Sequence, residues 1–290
     1  MSSLRGLATN LFGSIVDKYS DLFITVKENL PKADIKTPFR TYLSSVFMIS
    51  SFSVFVTFFT ILLGFSILDI PLYLRIIYGI FSSFLVGIIS FVLMLFYPIQ
   101  KSASRRKNIE TNLPFVLTHM GAVAESGVPP YVIFRLIASF EEYGEISKEM
   151  KKIVRNIETF GLDPLTAVKE VAERTPSEAF KQILLGFVTT TESGGDIKLY
   201  LKNAGQQALF EWRVKRQKFL QQLSAYAEFY TGLLIAAPLF IIALFSVMNM
   251  IQPTISGFNI LDLTKLSLYV VVPVLNIGFL LFLRGVEVEM

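Results

Sequence analysis

The sequence predicts an all-α membrane protein: four transmembrane helices, arranged as two hairpins, flank a cytoplasmic bundle of about six helices. Three observations predict it. Residues 41–68, 76–100, 229–261 and 266–283 carry no charged side chain, and a run of about 18 or more apolar residues is long enough to cross a hydrocarbon core of roughly 30 Å as a helix. Between the second and third runs lies a polar block, residues 101–228, punctuated at short intervals by helix starts and stops. Of 27 Lys and Arg, 6 precede residue 42 and 18 lie in 101–228, while Arg75 and Lys265 stand alone in the loops between paired runs. The excess of basic residues marks the cytoplasmic side, so both termini and the central block are expected there, in a multi-pass protein of the cytoplasmic membrane. The boundaries expected are 1–40 for an amphipathic N-terminal segment, 41–100 for hairpin 1, 101–228 for the bundle, 229–284 for hairpin 2 and 285–290 for a tail.

Residues 4–30 read as one amphipathic helix. Leu4, Leu7, Leu11, Ile15, Tyr19, Leu22 and Val26 follow the 3/4 spacing of a single face, and Phe12, Val16, Phe23 and Leu30 widen it. Such a stripe fits a helix packed on the protein's own cytoplasmic domain, and equally an interfacial or partner-binding helix. Pro31 and Pro38 break the chain before the first span. The first hairpin turns at Leu68-Asp69-Ile70-Pro71. The third span, about 229–251, carries Pro238; the fourth carries Pro273 and Asn276. Membrane helices tolerate proline when neighbours satisfy the freed carbonyl, and Asn276 is expected to hydrogen-bond to another helix.

In the central block, Asn112 is expected to cap a helix that begins at Leu113-Pro114 and runs to Ser126, with Gly127 at the position after its end and Pro129-Pro130 opening the next. Ser147 is expected to cap a third helix, ended by Gly161. Asp163-Pro164 starts a fourth, and Thr175-Pro176-Ser177-Glu178 has the pattern of a capping box with proline at the first helical position. Gly194-Gly195 ends that helix, and Asp196 caps a last one running through Trp212 toward the third span. Short connections imply antiparallel neighbours. Glu125-Ser126-Gly127 recurs as Glu192-Ser193-Gly194, each at the end of an apolar helix and before an amphipathic one, as a duplicated helical hairpin would read.

The residues for most chemistry are missing. Cysteine is absent and His119 is the sole histidine, which removes disulfides, Cys-ligated metals and clusters of histidine ligands. The sequence lacks the GxxxxGK[ST] loop, so no nucleotide site of its own is expected, and Gly194-Gly195-Asp196 lacks the lysine of a phosphate loop. The expectation is a protein that is not an enzyme, holds no cofactor or metal and binds no nucleic acid. A small transporter or channel subunit for an uncharged solute is the alternative, weakened because no Asp, Glu, Lys, Arg or His lies within any span. The N-terminus shows no short apolar core with a cleavage site, so no cleavable signal is expected. Arg105, Arg106 and Lys107 before the block and Arg213, Lys215 and Arg216 after it suit anionic headgroups. Glu141, Glu142, Glu145 and Glu149 form an acidic strip suited to solvent or to a basic partner.

Several segments of the block carry a resemblance: Leu113-Pro114, then Glu125-Ser126-Gly127-Val128-Pro129, then Gly161-Leu162-Asp163-Pro164-Leu165-Thr166-Ala167, then Phe187 and Gly194-Gly195-Asp196. In this order, between two membrane hairpins, the chain resembles the inner-membrane platform proteins of type II secretion and type IV pilus machines. It is most like the compact Tad-type and archaeal pilus or archaellum forms. The likeness covers about 70–250, with the outer spans joining by topology. It implies an assembly component whose cytoplasmic bundle docks a hexameric secretion ATPase and whose membrane part handles pilin-like subunits. The bacterial pilus members carry two such cytoplasmic domains and this chain has one, so the resemblance implies a homodimer or pairing with a related subunit. On that footing the docking residues expected are Glu125, Glu192 and Asp196, then Glu141, Glu142 and Glu145, with Gly127, Gly161, Gly194 and Gly195 as structural turns.

Overall fold

A computed structural model describes residues 2–67, 71–255 and 257–286. These are almost wholly helical: α1 (Ser2–Lys18), α2 (Ile24–Lys32), α3 (Phe39–Ile67), α4 (Leu72–Glu125), α5 (Pro130–Ser139), α6 (Glu145–Glu158), α7 (Pro164–Arg174), α8 (Glu178–Glu192), α9 (Ile197–Tyr230), α10 (Ala237–Ile251), α11 (Ile260–Leu266) and α12 (Val272–Val286). Among the described residues four helical stretches are long and apolar enough to cross a membrane, as the charge-free runs predict. The chain divides into two compact units, Met1–Leu209 and Phe210–Met290.

In the first unit α3 and α4 form a hairpin. Small residues let the two backbones approach: Ser50 donates to Gly87 O at 2.9 Å, and a Cβ on Gly87 would lie 2.4 Å from Val54 Cγ2, the small-residue contact that membrane helices use in place of hydrophobic driving force. Outward-facing Phe52, Phe59 and Phe81 stay 68%, 59% and 72% exposed, as side chains facing acyl chains do. The turn residues 68–70, predicted to close this hairpin, lie outside the described residues.

Helix α4 does not stop at the membrane. The expected helix start at Asn112 is wrong: α4 is continuous for 54 residues through Pro98 and Pro114, about 80 Å at 1.5 Å per residue. Asn112 sits in mid-helix and donates to Asn108 O. A proline frees the carbonyl four residues before it, and the one freed by Pro98, Met94 O, accepts from the Tyr42 hydroxyl of α3 at 2.7 Å.

The far half of α4 and helices α5–α9 enclose a core that includes Ile109, Leu117, Phe134, Met150, Phe180 and Leu184. Asp163 caps α7 by accepting from the amides of Leu165 and Thr166, and Asp196 caps α9 by accepting from those of Lys198 and Leu199. Two expected caps move. Helix α6 begins at Glu145, after Gly144 at φ 58°, and the acceptor at its head is Asn108 Oδ1 on α4, not Ser147. Ser147 is buried and donates to Ala138 O. Helix α8 is capped by Ser177, which accepts from the Phe180 amide, and not by Thr175, which closes α7 with its hydroxyl buried and unbonded.

The single N-terminal helix expected over 4–30 is broken into α1, a tight turn at Ser20–Phe23 and α2. Both helices lie on the hairpin: Phe12 stacks on Phe47, Phe23 meets Phe91 edge-on, and Asp17 pairs with Arg40 at 2.8 Å.

In the second unit the remainder of α9 runs into a π-turn at Thr231–Ala236 just before Pro238, and a second π-turn at Ser267–Val271 precedes Pro273. A π-turn widens the helix where a proline withholds its amide. Tyr230 donates to Asn276 Oδ1 at 3.2 Å, the helix-to-helix bond expected of Asn276. A two-residue β-pair, Thr254–Ile255 with Phe258–Asn259, closes this hairpin, and Asn259 caps α11; neither was legible in the pattern of charges.

Candidate partner-docking surface

Helix α4 carries its last residue, Glu125, about 38 Å beyond the end of its charge-free run at residue 100, by the rise of 25 residues. At that end three helix termini meet. Glu125 pairs with Lys202 of α9 at 2.7 Å, and Glu192, the last residue of α8, pairs with Lys169 of α7 at 2.7 Å. Asp196 heads α9 four residues after Glu192, and Lys198 lies beside Gly127, 3.4 Å from where a Cβ would stand. The repeated Glu-Ser-Gly ends therefore occupy one rim. Gly127 and Gly194 hold φ of 79° and 70°, a left-handed conformation that glycine reaches without a Cβ clash. Gly195 donates to Thr190 O at 2.8 Å and finishes the same stop, while Gly161, at φ 66°, ends α6. The pairs Glu125–Lys202 and Lys169–Glu192 are about half exposed, so a partner's charges can compete for them.

Beneath this rim the first turns of α9 are tightly seated. A Cβ on Gly205 would lie 2.9 Å from Leu117 O, and one on Gly121 would lie 3.2 Å from Lys202 Cα. On the other side Tyr200 crosses Gly186 and donates to Ile183 O at 2.9 Å. Gly121 and Gly205 thus let α4 and α9 meet at backbone distance, and Gly186 makes room on α8 for the Tyr200 ring. No sequence pattern announced this, because the three are scattered singly through helices.

The acidic strip does not join the rim. Glu141 and Glu142 are exposed on a short turn, with Lys151 3.1 Å from Glu141. Glu145 and Glu149 turn inward at the other end of the bundle, on Arg105. Arg105 is the clearest correction: expected at headgroups, it is 6% exposed. Its guanidinium donates to Glu145 at 2.6 Å, to Glu149 and to Lys32 O at the end of α2. Lys152 joins Glu149 to Asp34 at 3.1 and 2.9 Å. Burial raises the Glu145 carboxyl, but hydrogen bonds from Lys148 and Arg105 outweigh it and hold the group below its ordinary value. Asp34 is lowered in the same way, its partial burial overcome by Lys152. The network ties the N-terminal segment to the base of the bundle. The alternating Glu145, Lys148, Glu149, Lys152 spacing was its signal, but a helix face of this kind reads as solvated until its partner on α4 is known. Arg106 pairs with Glu110 on the surface, and Lys107, Arg213, Lys215 and Arg216 are exposed, as headgroup contacts require. Among the described residues no group of His, Cys, Asp and Glu is placed to hold a metal.

Residues 116–245 match the model of the type II secretion system protein F family. The match begins in the far half of α4, takes in the bundle and the whole of α9, and ends within α10. The fold and the match together define the class: a multi-pass, nearly all-helical membrane protein carrying a domain similar to secretion protein F, as the glycine-punctuated segments suggested. Among curated proteins the chain is 24% identical over 250 residues to flagella accessory protein J of Methanocaldococcus jannaschii, covering 86% of this chain and 41% of that protein. It is 25% identical over 210 residues to an uncharacterized protein of the same organism, covering 71% of the chain and 34% of that protein. With flagella accessory protein J of Methanococcus voltae it shares 21% identity over 146 residues, covering 50% of the chain and 26% of that protein. The chain thus spans 26–41% of the length of the relatives it matches. No solved structure matches it.

Proposed function

We propose that this chain is a membrane platform component of a type IV pilus-like or type II secretion-like filament assembly machine, of the archaeal pilus or archaellum kind. It is not an enzyme: it couples a cytosolic hexameric ATPase to the movement of pilin-like subunits out of the bilayer. The observation that carries this reading is the coincidence of the secretion protein F match with the bundle and with α9, the helix seated in the bundle by Gly121, Gly186 and Gly205 and continuing into an apolar stretch. A helix gripped at backbone distance moves with the bundle that grips it, which suits a part that transmits force. In this reading the bundle and both termini face the cytoplasm, in line with the basic residues, and the ATPase docks on the rim of Glu125, Glu192 and Asp196, with Glu141 and Glu142 as secondary contacts. Glu145 drops from the docking set because Arg105 occupies it. A second copy, or a related subunit, completes the platform.

Co-purification of the detergent-solubilised full chain with the host's secretion-type ATPase tests it. Capture by the native chain, weakened at least tenfold by Glu125→Lys with Glu192→Lys while the thermal midpoint holds, supports the reading; a tenfold loss corresponds to about 1.4 kcal/mol. Absence of capture in every nucleotide state overturns the ATPase coupling.

A further inference from the structure

Within the second unit, the end of α9 and the end of α12 enclose a groove of about 370 Å³, lined by Leu223, Tyr226, Ala227, Tyr230, Phe279 and Leu283 among others. Aromatic contacts fix its walls. Tyr226 meets Phe282 edge-on at 5.8 Å, and the rings of Tyr230 and Phe279 lie 5.4 Å apart. The Tyr230 hydroxyl is bound to Asn276 across the two helices. Size limits what fits. On α9 the groove runs from Leu223 to Thr231, a rise of about 12 Å, so its mean cross-section is about 30 Å². A helix with its side chains is about 10–12 Å across and needs more than twice that area. An extended hydrocarbon chain is narrow enough.

Position limits the chemistry. The groove crosses the edge of the charge-free run 229–261, with Tyr230 inside it and Leu223 outside, the level at which tyrosine rings line a membrane interface. Two guanidiniums stand at its outer end. Arg216 precedes Leu223 by two turns on the same side of α9, and its guanidinium lies 5.9 Å from the ring centre of Phe219, one turn before Leu223. Arg284 follows Leu280, another lining residue, by one turn of α12. Both arginines are exposed, and among the described residues neither is paired with a carboxylate. Glu228, the carboxylate nearest in sequence on α9, turns away from the groove by the same helical spacing. An apolar groove between membrane helices with cations at its mouth suits an anionic lipid.

We propose that this groove holds the upper part of one acyl chain of an anionic phospholipid, whose headgroup lies between Arg284 and Arg216. The lipid is a ligand of the second hairpin and joins α9 to α12 at the membrane edge. The inference depends on this hairpin lying in a membrane and is independent of the assembly role.

Native mass spectrometry of the detergent-solubilised full chain, with dioleoyl-phosphatidylglycerol and dioleoyl-phosphatidylcholine added in equal amounts, tests it. The native chain should retain one phosphatidylglycerol in preference to phosphatidylcholine. Arg216→Gln with Arg284→Gln should weaken that retention about tenfold or more, and Ala227→Trp, which fills the groove, should remove it. Lys218→Gln changes a cation on the side of α9 away from the groove and should leave retention unchanged. An equal loss with Lys218→Gln shows general charge attraction and overturns the site. Equal retention of the two lipids, or retention of phosphatidylglycerol by the Ala227→Trp chain, also overturns it. A photocrosslinking side chain placed at Ala227 should capture lipid in native membranes; capture of protein instead overturns the proposal in favour of a docked helix.

Discussion

Arg105 shows how far one residue's surroundings depart from its sequence neighbourhood. It sits in a basic run beside the membrane, yet it is buried on Glu145 and Glu149. Removing one partner of a buried ion pair leaves an uncompensated charge, so Arg105→Gln should cost about 3–5 kcal/mol at neutral pH, read as a fall in the thermal midpoint in detergent. The pH dependence follows from the carboxylates. Glu145 and Asp34 are held below their ordinary values of 4.5 and 3.8. Their contribution is therefore complete above those values and is lost as the pH falls through the lower folded ones. The native chain should lose stability on acidification below pH 4.5, and the Arg105→Gln deficit should shrink over the same range as the stranded carboxyls protonate. A deficit unchanged by acid would show that packing of the guanidinium, not its charge, is what the core uses. At Gly205 the contact is steric: Gly205→Ala places a methyl 2.9 Å from Leu117 O and should cost about 1–3 kcal/mol, as overpacking does.

At the scale of elements, signals that act within one turn of chain were legible and signals that act across space were not. Asp163 and Asp196 cap the helices they were expected to cap, and Gly127, Gly161 and Gly194 end the helices they were expected to end, because each device is closed by amides or carbonyls a few residues away. The helix start expected at Leu113-Pro114 failed because a proline removes one hydrogen bond, and a long helix whose Leu113, Val116 and Leu117 are buried in the core survives that loss. The head of α6 was misplaced because its acceptor, Asn108, is 37 residues distant. The same logic gives a test within the first hairpin. Tyr42 donates to the carbonyl that Pro98 sets free, so Tyr42→Phe should cost about 0.6 kcal/mol, the mean for such bonds between membrane helices. In a Pro98→Ala background the carbonyl regains its own amide and the cost should vanish. A double-mutant cycle on thermal unfolding reads the coupling directly, and a cost that persists without the proline would mean the hydroxyl acts elsewhere.

Helix α9 combines close backbone contacts in its first turns with exposed side chains farther along. The first turns of α9 are enclosed, with Leu201 and Gly205 buried, whereas Phe210, Leu220, Leu223 and Phe229 farther along are about half exposed or more. Sharp kinks arise where something interrupts a helix's hydrogen-bond ladder, and from Ile197 to Tyr230 α9 has no proline and meets its first π-turn only at Thr231. If this element passes movement from the bundle to the apolar stretch, its continuity matters more than the identity of its exposed side chains. Two glycines inserted after Trp212 cost about 2 kcal/mol of local helix and open a swivel in the part of α9 outside the bundle core. The bundle's cooperative unfolding and the capture of the ATPase should both be retained, because Glu125, Glu192 and the glycine seat are untouched. Filament assembly in cells should be lost. Retained assembly would show that α9 tethers the bundle without driving anything, and the force would then have to pass through α4, the other continuous helix that joins an apolar run to the bundle core.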